Sequence, residues 1–147
     1  MALSLSTDLK NYVINKSLAE TLAGTVGTAG TASLKIYSGS QPATADAATA
    51  GTLLCTISSI GWAATNGCTG GTAALANTAG YTGTAATTGT AGWARLETVD
   101  TGYNGSAATF RIDGGVGTAS THTFVINAVS ITAGGIVSLL TAPISLS

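Results

Sequence analysis

The sequence predicts an all-β protein, an antiparallel β-sandwich of jelly-roll-like topology preceded by one N-terminal α-helix. Apolar and polar residues alternate with a period of two in seven or eight short segments, which is typical of half-buried strands. Glycine-rich turns separate these segments. Only one stretch, near the N-terminus, is helical in character. We therefore divide the chain into a helical arm with a Gly/Thr linker, residues 1–31, and a β-sandwich domain, residues 32–147.

The predicted helix runs from Asp8 to Ala23. Ser6 or Thr7 is a suitable N-cap, and Asp8 lies in the first turn, where the helix dipole favours negative charge. The apolar residues cover more of the helix circumference than one contact surface requires. Either the helix packs on its own sandwich with two apolar residues to spare, or it also contacts another subunit or the shell of an assembly. The candidates for that second contact are Leu9, Tyr12, Val13 and Ile14.

The first two predicted strands flank a loop that contains one proline and several glycines. Before the loop, Leu34 and Ile36 share one face; after it, Leu53, Cys55 and Ile57 share one face. Later alternating segments are 94–97, 108–112, 124–126, 129–131, 136–140 and 144–146. Turns are predicted at 100–105, 113–117 and 133–135.

Charged residues on these strands have simple structural interpretations. Asp113 precedes a glycine and is interpreted as a turn residue. Arg95 and Glu97 are interpreted as exposed partners across a sheet face.

Four motifs follow one another along the chain: YSGSQPATADAATAGTLL from Tyr37, GTAGWARL from Gly89, DGGVGT from Asp113 and VSITAGGIVSL from Val129. In this order they resemble a family of small phage and prophage virion structural proteins of the capsid decoration, or cement, type. The resemblance covers about three quarters of the chain. It implies a subunit on the outer face of a capsid, with the major capsid protein as partner and no chemistry of its own. It also favours a trimer over a dimer, because many such proteins sit at threefold positions.

The charge content supports contact with neighbouring subunits. Only 7% of the residues are charged, against about 25% in an ordinary soluble domain. No charged residue occurs between Asp46 and Arg95. Such a surface has little to keep copies apart in solution, so we expect a homo-oligomer. The alternative is a neutral loop surface without partners.

The sequence offers no set of residues for catalysis, so we predict that the protein is not an enzyme. His122 is the single histidine and has no metal-ligand spacing around it, which predicts neither a metal nor a cofactor. The motifs GxSxG, GxGxxG and the phosphate-binding Gly-Lys-Ser/Thr loop do not occur. Glu97, Asp100 and Asp113 admit a glycosidase-like carboxylate pair, but the chain has few aromatic residues for a sugar cleft.

Partners and location follow from the same counts. Five scattered basic residues cannot neutralise a row of phosphates, so we expect no nucleic acid. No apolar run is long enough for a membrane span, and the N-terminus does not resemble a secretory signal. We expect synthesis in the bacterial cytoplasm and residence on the virion. In the cytoplasm Cys55 and Cys68 are expected to be reduced, as two buried apolar thiols; the alternative is a disulfide that closes after release of the virion.

Trp62 and Trp93 are each either core residues or anchors of a subunit contact, because tryptophan is over-represented in interface hot spots. Two other functions stay open from the sequence. One is a glycan-binding or host-facing tail or fibre module, which needs exposed aromatic residues. The other is a subunit of a tube or filament, for which a neutral Ala/Gly/Thr surface is equally suited.

Overall fold

A computed structural model of the chain describes residues 32–61, 68–69, 72–73, 80–100 and 108–145, together with Ser6 and Leu9. These residues confirm the all-β class. The strands among them are β1 (Ala32–Ser38), β2 (Leu53–Ile60), β3 (Cys68–Thr69), β4 (Thr72–Ala73), β5 (Tyr81–Thr84), β6 (Gly89–Asp100), β7 (Ala108–Gly117), β8 (Phe124–Ile126), β9 (Ser130–Ile131), β10 (Ile136–Thr141) and β11 (Ile144–Ser145).

The main sheet is nearly closed into a barrel. Its strand order is β2-β1-β6-β7-β8-β10-β5, and β9 pairs with the start of β6. The two end strands meet, because Cys55 in β2 forms a bridge with Ala85 at the end of β5. The amides of Ala86 and Thr87 then donate to the Leu54 carbonyl at 2.8 and 3.3 Å. Closure leaves few free strand edges. A small second sheet has the order β11-β4-β3.

The closed ring explains why the sheet is mixed. Each antiparallel contact reverses strand direction, so a ring of seven strands cannot be antiparallel throughout. One parallel contact removes the conflict, and it lies between β7 and β8. The predicted sandwich of two antiparallel sheets therefore differs from the described strands, which form one curled sheet with a single parallel pair.

The parallel pair depends on the glycine-rich end of β7. The connection to β8 is residues 118–123, shorter than the dozen or so residues usual between parallel strands. It packs directly against the β7 backbone: a Cβ on Gly117 would lie 2.4 Å from the His122 ring, and one on Gly114 2.6 Å from Thr123 Cβ. The predicted turn at 113–117 is therefore wrong, because these residues are strand and the turn follows them. The predicted turn at 133–135 is confirmed.

A bulge changes which residues of β2 face the core. Ile36 pairs with Cys55 but the next residue, Tyr37, pairs with Leu53, so β2 holds one more residue than β1 at this point. As a result Leu54 and Cys55 are both buried, while Leu53 is 38% exposed. The prediction that Leu53 shares a face with Cys55 is wrong, because sequence alternation does not register a bulge.

The barrel encloses one apolar core, which is formed by the inward-facing residues of its strands. Its largest members are Leu34, Ile36, Leu54, Ile57, Ile60, Leu96, Phe124, Ile126 and Leu139. At the N-terminus the Leu9 amide donates to Ser6 Oγ at 3.3 Å, the bond expected of an N-cap. The rest of the predicted helix, residues 10–23, lies outside the described residues.

Closure of the barrel has a testable dependence on Gly83 in β5. A Cβ at this position would lie 2.5 Å from the Thr56 carbonyl oxygen and 3.1 Å from Cys55 Sγ, across the seam between β5 and β2. We expect Gly83→Ala to lower the free energy of unfolding by about 1–3 kcal/mol, the usual cost of overpacking. Gly115→Ala is the matched control, because its nearest contact is 3.9 Å away. Urea unfolding measures both, and equal midpoints would contradict the closed seam.

Candidate functional site

A loop between β1 and β2 is fastened across the outside of the barrel. We call this loop, residues 39–52, the strap. Its base is closed by two hydrogen bonds, from the Ser38 amide to the Thr52 carbonyl and from the Thr52 amide to Ser38 Oγ, each 3.0 Å. Gly51 has φ +83°, and a Cβ there would lie 1.9 Å from the Ser38 carbonyl oxygen. Only glycine fits this position.

The strap covers Trp93 of β6. Trp93 projects from the face of β6 opposite the core residues Ala94 and Leu96, since side chains alternate along a strand. It is nevertheless 0% exposed. Its indole N–H donates to the Ala50 carbonyl in the strap at 3.2 Å, and its ring stacks on Tyr37 with centroids 4.7 Å apart. Trp93 therefore forms a second buried cluster between the sheet and the strap.

Arg95 fastens the strap by its charge. Its Nε and Nη2 donate to the two carboxylate oxygens of Asp113 at 2.7 and 2.8 Å, and Nη2 also donates to the Ala47 carbonyl in the strap at 3.1 Å. Both side chains are almost completely buried, at 4% and 3% exposure. The hydrogen bond with Asp113 raises the pKa of Arg95 despite the burial. The guanidinium also lies 5.6 Å from the Trp93 ring centroid, in cation–π range.

Four charges of neighbouring strands pair in a pattern that avoids repulsion. Lys35 of β1 lies directly opposite Arg95 in the register, and like charges so placed destabilise a sheet. Asp113 of β7 lies on the other side of Arg95 and neutralises it. Lys35 instead forms an ion pair with Glu97, its diagonal neighbour. The strands thus place two opposite-charge pairs side by side on one face.

These pairs correct two interpretations from the sequence. Arg95 is buried and bonded to Asp113, so it is not an exposed partner of Glu97. Asp113 is a strand residue that orients Arg95, not a turn residue. Sequence reasoning missed this site because the register between β6 and β7 decides it. One signal was present: the second and third motifs of this charge-poor chain each contain one charge, Arg95 and Asp113.

The remaining predicted residues are placed as follows. Leu9 is 45% exposed. Tyr12, Val13, Ile14 and Trp62 lie outside the described residues, as does the side chain of Cys68. Trp93 would reach a partner only if the strap opened. Its interface role stays a prediction, as do those of the other candidates.

The described side chains were compared with the requirements of a metal site and of a sugar-binding surface. No group of three His, Cys, Asp or Glu residues lies together within the described ranges. His122 sits in the connection after β7, where its Nδ1 lies 3.3 Å from the Ala119 carbonyl. Among the described aromatic side chains, Trp93, Phe124 and Tyr37 are buried, and the Tyr81 hydroxyl donates to the Gly61 carbonyl at 3.1 Å. This part of the barrel therefore presents no aromatic platform for a sugar ring.

Cys55 is a free, buried thiol in the described structure, and burial raises its pKa. A raised folded pKa means that this contribution to stability is complete below the unfolded pKa, about 8.5, and is lost as the pH rises through the folded value. We expect the stability advantage of the wild type over Cys55→Ala to shrink between pH 7 and pH 10. Urea midpoints of both proteins across this range measure it. A stability difference between the two proteins that stays constant across this pH range would contradict the raised pKa of Cys55.

The chain matches no protein-family model, no curated protein and no solved structure. Within the part of the chain that the structure describes, no helix is long and apolar enough to cross a membrane.

Proposed function

We propose that the chain is a structural component of a phage particle, a capsid decoration protein that binds the outer face of the shell and stabilises it. The observation that carries the proposal is the use of its charged groups. In a chain with 7% charged residues, Lys35, Arg95, Glu97 and Asp113 are engaged in holding strands and strap together. Groups committed in this way stabilise a scaffold and leave none of these side chains free for chemistry.

The sequence motifs add to this argument. The strap, Trp93 with Arg95, and Asp113 belong to three different motifs of the resemblance to decoration proteins, and they are in direct contact in the fold. A rigid, mechanically stable subunit requires such contacts, because they fix the strap to the sheet. The low content of basic residues supports the outer face of the shell, because an inner position beside nucleic acid favours a basic surface.

The proposal includes a homo-oligomer, a trimer in preference to a dimer, with the major capsid protein as partner. The protein would be made in the bacterial cytoplasm and carried on the capsid surface. The proposal also includes the predicted helix, Asp8 to Ala23, and a jelly-roll-like topology for the strands of the β domain. In this proposal the helix supplies an apolar contact with the shell through Leu9 and Val13, and Leu9 has exposed surface available for that contact.

The test is attachment to particles. We expect the protein to be found in purified particles at a fixed ratio to the major capsid protein, and to stay attached in roughly 0.5 M NaCl, where the Debye length falls below its physiological 8 Å and surface ion pairs are screened. Leu9→Asp with Val13→Asp should abolish attachment. Release by salt alone, with attachment of the double variant intact, would refute the apolar contact. Absence of the wild-type protein from purified, untreated particles would refute the proposed function.

A further inference from the structure

The barrel has one charged half and one uncharged half. We call the outer face of β2, β5, β8 and β10 the neutral wall. These four strands are neighbours in the ring and contain no charged residue. Charged side chains of the described strands lie instead on β1, β6 and β7: Lys35, Arg95, Glu97, Arg111 and Asp113. Charge is therefore segregated around the barrel.

Large apolar side chains protrude from the neutral wall. Ile136 and Leu140 of β10 are 61% and 46% exposed, and Leu53 of β2 is 38% exposed. Ile136 and Leu140 are exposed, whereas Val137 and Leu139 between them are buried in the core. The two exposed residues span roughly 13 Å at 3.3 Å per residue. Beside Ile136 lies Thr84 of β5, so the surroundings are hydroxyl-bearing and uncharged.

A cavity adjoins this row of side chains. It has a volume of about 200 Å³ and is lined by residues 127, 128, 130–132 and 135–137, so Ile136 is one of its lining residues. None of its lining residues is charged. Small-molecule sites usually begin at roughly 300 Å³, so the cavity is better matched to a single protruding side chain.

We infer that the neutral wall binds a second copy of this chain, with Leu140 of one copy entering the cavity beside Ile136 of the next. A charged partner surface would lose its hydration against this wall without gaining an ion pair. The chain supplies both parts of a neutral contact, because Leu140 protrudes from the wall and a side-chain-sized cavity adjoins the wall where β10 begins. Since the protruding side chain and the cavity lie at different places, the contact is head-to-tail and can close into a ring. This deepens the proposed function by naming the surface of its homo-oligomer.

The experiment uses the free full-length protein in sedimentation velocity over a range of concentrations. We expect the wild type to associate, and Leu140→Lys and Ile136→Glu each to sediment as monomers. Thr109→Glu is the matched control, because it adds one charge at an exposed strand position on the charged half. It should associate like the wild type. Mixing the Leu140→Lys and Ile136→Glu proteins should restore association, because the unchanged Leu140 of the second protein can still enter the unchanged cavity of the first, which only a head-to-tail contact allows.

Circular dichroism of every variant shows whether it is folded, and Leu140→Ser replaces Leu140→Lys if that protein is not. A wild type that stays monomeric, association that survives both substitutions, or a mixture that stays monomeric would each overturn the inference. Monomeric protein whose attachment to particles is lost with Leu140→Lys would show that the wall faces the shell, which overturns the inference and keeps the proposed function. If association is restored in the mixture but the protein is absent from purified particles, the inference stands and the proposed function is overturned.

Discussion

Asp113→Asn should destabilise the protein by about 3–5 kcal/mol, the usual consequence of removing one partner of a buried ion pair. The amide keeps the size of the carboxylate but leaves the Arg95 guanidinium buried without a counter-charge. Arg95 also holds the strap through the Ala47 carbonyl, so the loss extends to the loop. A domain of this size is stable by only about 5–15 kcal/mol, so the variant should unfold at a much lower urea concentration. Circular dichroism during urea unfolding measures the change.

Glu97→Gln is the matched control for this prediction. It breaks the Lys35–Glu97 pair, whose side chains are 35% and 21% exposed, and pairs of this kind contribute about 0–1 kcal/mol. A second control replaces both buried charges with apolar residues, Arg95→Met with Asp113→Leu, which should recover most of the stability. If Asp113→Asn costs no more than Glu97→Gln, the buried pair does not hold the strap as described.

Trp93→Ala should lower the free energy of unfolding by about 3–5 kcal/mol, because it leaves a cavity in place of a fully buried ring. The strap would lose both the ring on which it rests and the hydrogen bond to the Ala50 carbonyl. Trp93→Phe is the matched control, since it keeps an aromatic ring beside Tyr37 and removes only the N–H bond, at about 1 kcal/mol. Urea unfolding gives the stabilities.

Limited digestion with subtilisin separates a structural role of Trp93 from an interface role. We expect Trp93→Ala to be cut within residues 39–52 faster than either the wild type or Trp93→Phe, because the strap opens more often. Unchanged cleavage and stability, combined with loss of attachment to particles, would instead make Trp93 an interface anchor. The two outcomes exclude each other.

Much of the fold was predictable from local patterns. The alternation of Leu34 and Ile36, and of Ala94 and Leu96, identified β1 and β6 because a half-buried strand requires a period of two. The turn at 133–135 was predictable because glycine adopts the positive φ seen at Gly134. The interpretation failed at Leu53 and at 113–117, where a bulge and a short parallel connection change the meaning of the same residues.

The sequence by itself determined the class of this protein: that it is all-β, where most of its longer strands lie, and how few charges it carries. Only the tertiary structure decided that the strands close into a ring, that Arg95 meets Asp113, and that Trp93 is buried beneath the strap. The physical reason is that strand identity depends on neighbours along the chain, whereas register, closure and burial depend on residues 18 to 48 positions apart. Those contacts form only when the whole sheet is assembled.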